Sequence, residues 1–360
     1  PVGISFYTFQ SMSYSLDIYK GECKPAKSFI AFATYVSMFP QLVAGPIVRW
    51  RDLEEQINDI DTKVDWGKMS LGIQFLVLGL VKKVLVADEM AEFTDIYWAR
   101  TEDLQLVTSW IASLGYTMQI YFDFSAYSDM AVGLGLMLGF RMPQNFNSPY
   151  KARNISEFWT RWHITLSQWL RDYLFIPLGG SRGSRIFTMR NLVITMFLGG
   201  LWHGAGWPFV VWGLYHGALL VVAHAWRGTG VKIPKVPAIA LTFLAVVIGW
   251  VFFRAGNAPE GFGDAWNMLR AMFGMQGIEH LDAAGLSEWW RAFKTDMKAL
   301  GLDSKVPLVL LAGMAWCWFA PNTWQISFKP QLWRALVLAL LLVYVILKFG
   351  QESPFLYFQF

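Results

Sequence analysis

The chain has 360 residues, of which 55% are hydrophobic and only 16% charged, where an average soluble domain is about a quarter charged. Aromatic residues reach 17%, with 19 Trp and 28 Phe, and the apolar residues come in blocks long enough to cross a bilayer. A soluble globular fold with this composition would lack polar surface, so the chain reads as an all-α polytopic membrane protein, and its net charge of +4 matters less than where the charges fall.

The sequence opens on Pro1, already in apolar and aromatic residues, with no basic n-region or cleavage site of a signal peptide. Further helices are therefore expected upstream. After a polar segment at Asp17–Lys27, the apolar run Phe29–Val48 is interrupted by Pro40 and Gly45–Pro46. Free backbone groups cannot face lipid, so a kinked or re-entrant element buried against protein is expected there. Arg49–Lys68 reads as a loop with helical pieces. Met69–Ala87 is an expected span carrying Lys82 and Lys83 near its end, followed by an acidic loop at Asp88–Asp103. The two charge signs conflict, and the orientation of this span stays open. Leu104–Phe122 is a second expected span, running into Asp123, Ser125, Ser128 and Asp129 and then the glycine-rich Ala131–Phe140.

From Arg141 to Arg190 eight basic residues face only Glu157 and Asp172, which places this stretch on the cytoplasmic side by the positive-inside rule. Its position between membrane segments speaks against nucleic acid. Within it, Glu157–Tyr173 has helical periodicity: Phe158, Trp159, Trp162, Leu166, Trp169, Leu170 and Tyr173 share one third of the circumference. One amphipathic helix lying in the membrane interface is expected, capped by Asn154 with Glu157 three residues on. His163 sits at the edge of its apolar face. Five more apolar blocks follow: Leu192–Trp202, Phe209–Trp226, Ile239–Phe253, Val306–Ala320 and Leu332–Phe349. Residues 254–305 read as an extramembrane insertion with an amphipathic character carried by Trp289, Trp290 and Phe293, within a single domain spanning 1–360. No internal repeat of the kind that builds inverted-repeat transporters is visible.

Familiar catalytic signatures are few. There is no P-loop, and Gly133-x-Gly135 lacks the third glycine of a dinucleotide fingerprint. Gly179-Gly-Ser181-Arg-Gly183 matches G-x-S-x-G formally, but without the strand and helix a nucleophile elbow needs. Cys23 and Cys317 form neither a metal spacing nor a disulfide framework. What remains is polar residues in apolar surroundings: Asp123, Asp129, Asn145, Asn147, His163, His203 and His216. Ionisable groups inside membrane-like sequence are functional candidates because they are costly to keep there. A neutral imidazole is the cheapest of them to bury and can still accept a proton, as acyl transfer to a hydroxyl requires. His203 lies among Gly199, Gly200, Gly204 and Gly206, which allow a linear acyl chain to approach the backbone or two helices to pack closely. His216, between Gly213 and Gly217, reads mainly as a packing residue.

Several ordered segments carry a family resemblance: PVGISFYTFQ at 1–10, FPQLVAGPIVR at 39–49, YFDFSAYSDMAVGLG at 121–135, EFWTRWHITLSQWLRDYLFIPLGGSRGSR at 157–185, GGLWHG at 199–204 and the closing FLYFQF at 355–360. Together they resemble the membrane-bound O-acyltransferases, and within them the members that acetylate exported polysaccharides such as alginate. The resemblance implies a helical bundle wrapped around a tunnel, with interfacial and re-entrant helices and a cytoplasmic funnel for the acyl donor. It implies that the family's invariant histidine is His203 and its second histidine His163. Ala126 stands where the family usually has Gly, and Ser181 where alginate-type members often have Asn.

The expected function is an inner-membrane O-acetyltransferase subunit passing acetyl from a cytosolic thioester, acetyl-CoA or another, towards a polysaccharide outside. In it His203 is the general base or a transient acyl carrier, His163 assists, and Asp123, Trp202 and Asn147 support. No metal and no bound cofactor are expected. The expected partners are periplasmic acetyltransferase- or esterase-like proteins of an export complex, and membrane lipids. Two other readings stand beside it: a non-catalytic transporter or flippase, and a carrier-protein-dependent acyltransferase for a teichoic-acid-like acceptor.

Overall fold

The computed structural model describes residues 3–42, 45–60, 63–258, 260–278, 287–288, 290–291, 294–295, 306–326 and 331–348. Every regular element among them is helical, and three helices are long and apolar enough to cross a membrane: Trp66–Trp98, Trp207–Arg227 and Lys235–Ala255. The chain is an all-α, multi-pass membrane protein.

The N-terminal third begins with α1 (Ile4–Tyr19), α2 (Phe29–Val36) and α3 (Trp50–Asn58). Between α2 and α3 lies the broken element expected from Pro40 and Gly45–Pro46: a 3-10 turn at Phe39–Gln41, and non-helical backbone at residues 45–49. Its freed polar groups are satisfied from within. The Gln41 amide donates to the Tyr35 carbonyl at 2.7 Å, and the Tyr35 hydroxyl donates to the Val48 carbonyl at 3.0 Å, which is how irregular backbone survives at membrane depth.

Two long helices form the centre. The first runs from Trp66 to Trp98 as α4 (Trp66–Lys82), a π-helical turn at Lys83–Ala87 and α5 (Asp88–Trp98). The second, α6 (Leu106–Met137), is 32 residues long and buried over most of its circumference. Glycines let the two backbones approach closely: a Cβ at Gly79 would sit 2.5 Å from Met130 Cγ and 2.8 Å from the Ala126 carbonyl oxygen. This corrects two expectations. The acidic stretch is not a loop, since Asp88–Trp98 continues the helix, and α6 does not stop at Phe122 but carries Asp123 and Asp129 in its interior. Both departures have one cause. Lys82 Nζ lies 2.6 Å from Asp129 Oδ2, and Lys83 Nζ lies 2.8 Å from both Asp123 and Asp88. Charges that look like segment ends in one dimension are ion pairs in three, Lys82–Asp129 and Lys83–Asp123 between neighbouring helices and Lys83–Asp88 along one helix.

The second half stacks α9 (Arg185–His203) against α10 (Trp207–Arg227), with Gly200, Gly213 and Gly217 at the crossing, and α11 (Lys235–Ala255) beside α10. These follow the expected apolar blocks. Of residues 254–305, α12 (Phe262–Met272) buries Ala265, Met268, Ala271 and Met272 against α6 and α11. Trp290 is half-exposed, while Trp289, Phe293 and the closing residues 355–360 lie outside the described residues. The last two helices among the described residues are α13 (Val306–Phe319) and α14 (Leu332–Lys348).

The expected single helix over Glu157–Tyr173 is instead three pieces: α7 (Ile155–Trp159), α8 (Ile164–Leu170) and a π-helical turn at Arg171–Phe175. Asn154 does cap the start, accepting the Glu157 N–H at 2.9 Å, while the Glu157 carboxylate takes the Arg153 N–H. The helix then breaks at 160–163 because backbone partners elsewhere claim its hydrogen bonds. Asn147 N–H donates to the Arg161 carbonyl at 2.8 Å and Ile164 N–H to the Asn145 carbonyl at 2.9 Å. The apolar face does not lie on lipid either. Phe158, Trp159, Trp162 and Trp169 are all buried in protein, Trp169 stacking on Phe9 at 3.8 Å. Periodicity reports a buried face, not what buries it.

Candidate functional site

His163 is the first residue of the site to be built by the break just described. It sits at φ 42°, in the left-handed region, and is one of two non-glycine residues there among the described backbone. Such a conformation is costly for an ordinary side chain and persists only where surrounding contacts enforce it. The ring is buried, with Phe124 edge-on at 4.7 Å and Phe6 nearly parallel at 6.3 Å.

One polar group fixes the ring's protonation pattern. His163 Nδ1 lies 3.1 Å from Asn145 Oδ1. The same oxygen accepts the Thr165 backbone N–H at 3.3 Å and the Thr165 hydroxyl at 3.0 Å, while Asn145 Nδ2 donates to Ser128 Oγ at 3.0 Å. A backbone N–H can only donate, so that atom is the amide's carbonyl oxygen, and Nδ1 must supply the hydrogen to it. In the neutral ring Nε2 then carries the lone pair. Nε2 is buried and has no hydrogen-bond partner among the described residues. The site therefore holds a proton acceptor whose other nitrogen is already committed.

His203 closes α9 and sits in an aromatic pocket of Trp202, Trp212 and Phe253 at 4.8, 5.1 and 4.9 Å between ring centroids. Phe6 joins the two histidines, since its ring also meets Trp202 edge-on at 5.5 Å. Forty residues apart in sequence, they face one interior region. His216 is placed as expected of a packing residue, fully buried between Trp159 and Trp212 at 5.3 and 4.9 Å, with Gly249 pressed against its ring.

The supporting residues divide. Trp202 belongs to the wall between the histidines. Asn147 holds the 160–163 turn through its backbone, receives Arg161 Nη1 on its carbonyl at 3.0 Å, and accepts from Asn322 Nδ2 at 3.0 Å on its side chain. Asp123 is engaged by Lys83. The residue that holds His163 is Asn145, two positions from the expected Asn147. Sequence marks both as polar residues in an apolar stretch, and nothing in their spacing separates them. Ser181 is exposed on a turn of positive-φ glycines, with no strand before it among the described residues. No cluster of three or more metal-binding side chains occurs among the described residues.

Residues 24–255 match the family model of MBOAT, the membrane-bound O-acyltransferase family. The chain belongs to that family. It is 48% identical to the probable alginate O-acetylase AlgI of Azotobacter vinelandii over 76% of its own length and 54% of that protein. It is 41% identical to the corresponding protein of Pseudomonas syringae pv. tomato over its whole length and 76% of that protein. The peptidoglycan O-acetyltransferase of Helicobacter pylori is 41% identical over 77% of this chain and 58% of its own. The chain thus spans about half the length of several curated relatives that it matches. Within this MBOAT chain, the matched region contains both histidines, Asn145 and the whole of α6 to α11.

Proposed function

We propose that this MBOAT chain is the membrane subunit of an O-acetyltransferase acting on an exported polysaccharide, with its reaction centre at the His163–His203 pair. The observation that carries the reading is that two buried histidines from separate stretches are linked through Phe6 and Trp202 in one aromatic interior, in a family whose relatives include alginate and peptidoglycan O-acetylases. The chemistry needs little else. A hydroxyl attacks the thioester carbonyl, its proton passes to His203, the new C–O bond forms as the C–S bond breaks, and the departing thiolate recovers the proton. His163, an acceptor only at Nε2, assists by holding a proton-bearing neighbour in place. The donor in this reading is acetyl-CoA or another acyl thioester on the cytoplasmic side, where the basic stretch 141–190 attracts anions. The membrane is the bacterial inner membrane, and periplasmic acetyltransferase-like proteins receive the acetyl group.

A general base contributes about 10²- to 10⁴-fold to such a step. A His203→Ala variant, inserted and folded as the parent, is expected to lose polysaccharide acetylation by at least about 10²-fold, measured as ester acetate per sugar by mass spectrometry of exported polymer. Unchanged acetylation in that variant overturns the catalytic assignment and favours a transporter whose histidines line a path.

A further inference from the structure

A groove of about 520 Å³ opens on the outer flank where α10 ends and α11 begins, away from the histidine pair. Its walls are apolar: Leu219, Val222 and Ala223 from α10 face Ala238, Leu241 and Ala245 from α11. Its mouth is basic, with Arg153, Arg227 and Lys232 all exposed there and no aspartate or glutamate among the lining residues. Two more cations stand close by: Lys235 opens α11, and Arg185 reaches to within 3.1 Å of the position a Cβ would take on Gly228. Trp226 marks the boundary, donating its indole N–H to the Val231 carbonyl at 3.0 Å so that the ring lies along the turn between the helices.

Both walls belong to helices long and apolar enough to cross a membrane, and in such a crossing the apolar part of the groove faces acyl chains while the charged mouth sits towards the headgroups, with an indole between them. Such an order matches a phospholipid lying along the helices. Glu157 stands beside Arg153, but a zwitterionic headgroup still leaves Arg227 and Lys232 without a countercharge, whereas one carrying net negative charge does not. We propose that this groove is a binding site for an anionic phospholipid of the leaflet on the basic side of the protein, its phosphate held by Arg153, Arg227 and Lys232 and one acyl chain lying between α10 and α11. Arg153 is one residue from the α7 cap and belongs to the stretch that shapes the His163 turn, so a headgroup there braces that stretch from outside.

The test is native mass spectrometry of the full-length protein in detergent, titrated with phosphatidylglycerol, phosphatidylcholine or glycerol phosphate. Phosphatidylglycerol is expected to be retained at least about 5-fold more than phosphatidylcholine, with glycerol phosphate alone not retained. The Arg227→Glu, Lys232→Glu pair is expected to abolish that preference. Leu241→Trp, which fills the apolar wall and leaves every charge in place, is expected to reduce retention of both lipids. Equal retention of the two lipids by the parent protein overturns the proposal, as does full phosphatidylglycerol retention in both variants. Retention of glycerol phosphate as strong as that of the lipid identifies a free-phosphate site and also overturns it.

Discussion

His163 has a geometry that its sequence neighbourhood conceals. The stretch reads as one helix, and at residue 163 it is the end of a break. That break is imposed by Asn145 and Asn147 from 16 to 18 positions upstream, through backbone and side-chain hydrogen bonds. The consequence is a tautomer argument. If Asn145 Oδ1 is what keeps the hydrogen on Nδ1, Asn145→Leu frees the ring to carry it on Nε2, where an acceptor is needed. Nitrogen-15 spectra of labelled histidine are expected to show His163 protonated at Nδ1 in the parent and mixed in Asn145→Leu, the signal assigned by its loss in His163→Gln. Turnover of Asn145→Leu is expected to fall by roughly 10²-fold or more, as for other wrong-tautomer variants, with KM little changed. Asn145→Asp restores an acceptor for Nδ1–H and is expected to recover part of the loss. An unaltered tautomer in Asn145→Leu would sink the argument. His163 and His203 were readable from sequence as candidates, His203 from its apolar, glycine-rich setting and His163 from the family resemblance. Asn145 was not, since which of two nearby amides reaches a ring depends on a turn that only the folded chain contains.

At the level of elements, the apolar blocks located α10 and α11 to within a few residues, whereas α9 starts at Arg185 and carries Arg190 and Asn191 inside the helix ahead of its expected apolar block. The α4–α6 pair was less legible, because charged residues do not always end a span. Lys82, Lys83, Asp123 and Asp129 marked expected ends, and all four lie inside helices that continue because their charges neutralise one another across the glycine-lined crossing. The Asp129 carboxylate also accepts the Thr323 hydroxyl, so it ties the residues after α13 to α6. Removing one partner of a buried pair strands the other, at a cost of about 3–5 kcal/mol. Asp129→Ala is therefore expected to lower the melting temperature of the purified protein clearly, and the Lys82→Met, Asp129→Leu pair to recover much of it. A double variant no more stable than Asp129→Ala alone would show that the pair does more than neutralise charge. Gly79→Leu is a separate check on the same crossing. Its side chain must displace Met130 or the Ala126 carbonyl, and loss of folded protein in detergent is the expected readout.

Across the whole molecule, the N-terminal elements and the site-bearing stretch are joined by polar contacts as well as by packing. Ile47 N–H donates to the Thr165 hydroxyl at 2.9 Å, and the Tyr173 hydroxyl donates to the Asp17 carboxylate. Arg49 Nη1 meets Asp172 Oδ2 at 2.7 Å, while Arg171 Nε meets the other carboxylate oxygen at 2.6 Å. None of these pairings was readable from spacing, because each joins residues more than a hundred positions apart, apart from the local Arg171 contact. The Asp172 contact has a pH signature. Partial burial pushes its carboxyl up, but hydrogen bonds from Arg171 and Arg49 outweigh that and hold it below the usual carboxylate range. A carboxylate depressed in the folded state adds stability above its unfolded pKa, near 4, and that stability drains away as pH falls through the lower folded value. Because Asp172 is partly solvated, the contribution is about 1 kcal/mol or less. Thermal unfolding of the parent and of Asp172→Asn should thus differ by a constant small amount from pH 7 down to about pH 5. The difference should then shrink towards zero below the ordinary carboxylate range. A gap that stays constant to pH 3 would mean that Asp172 stabilises the joint by shape, with its charge contributing nothing.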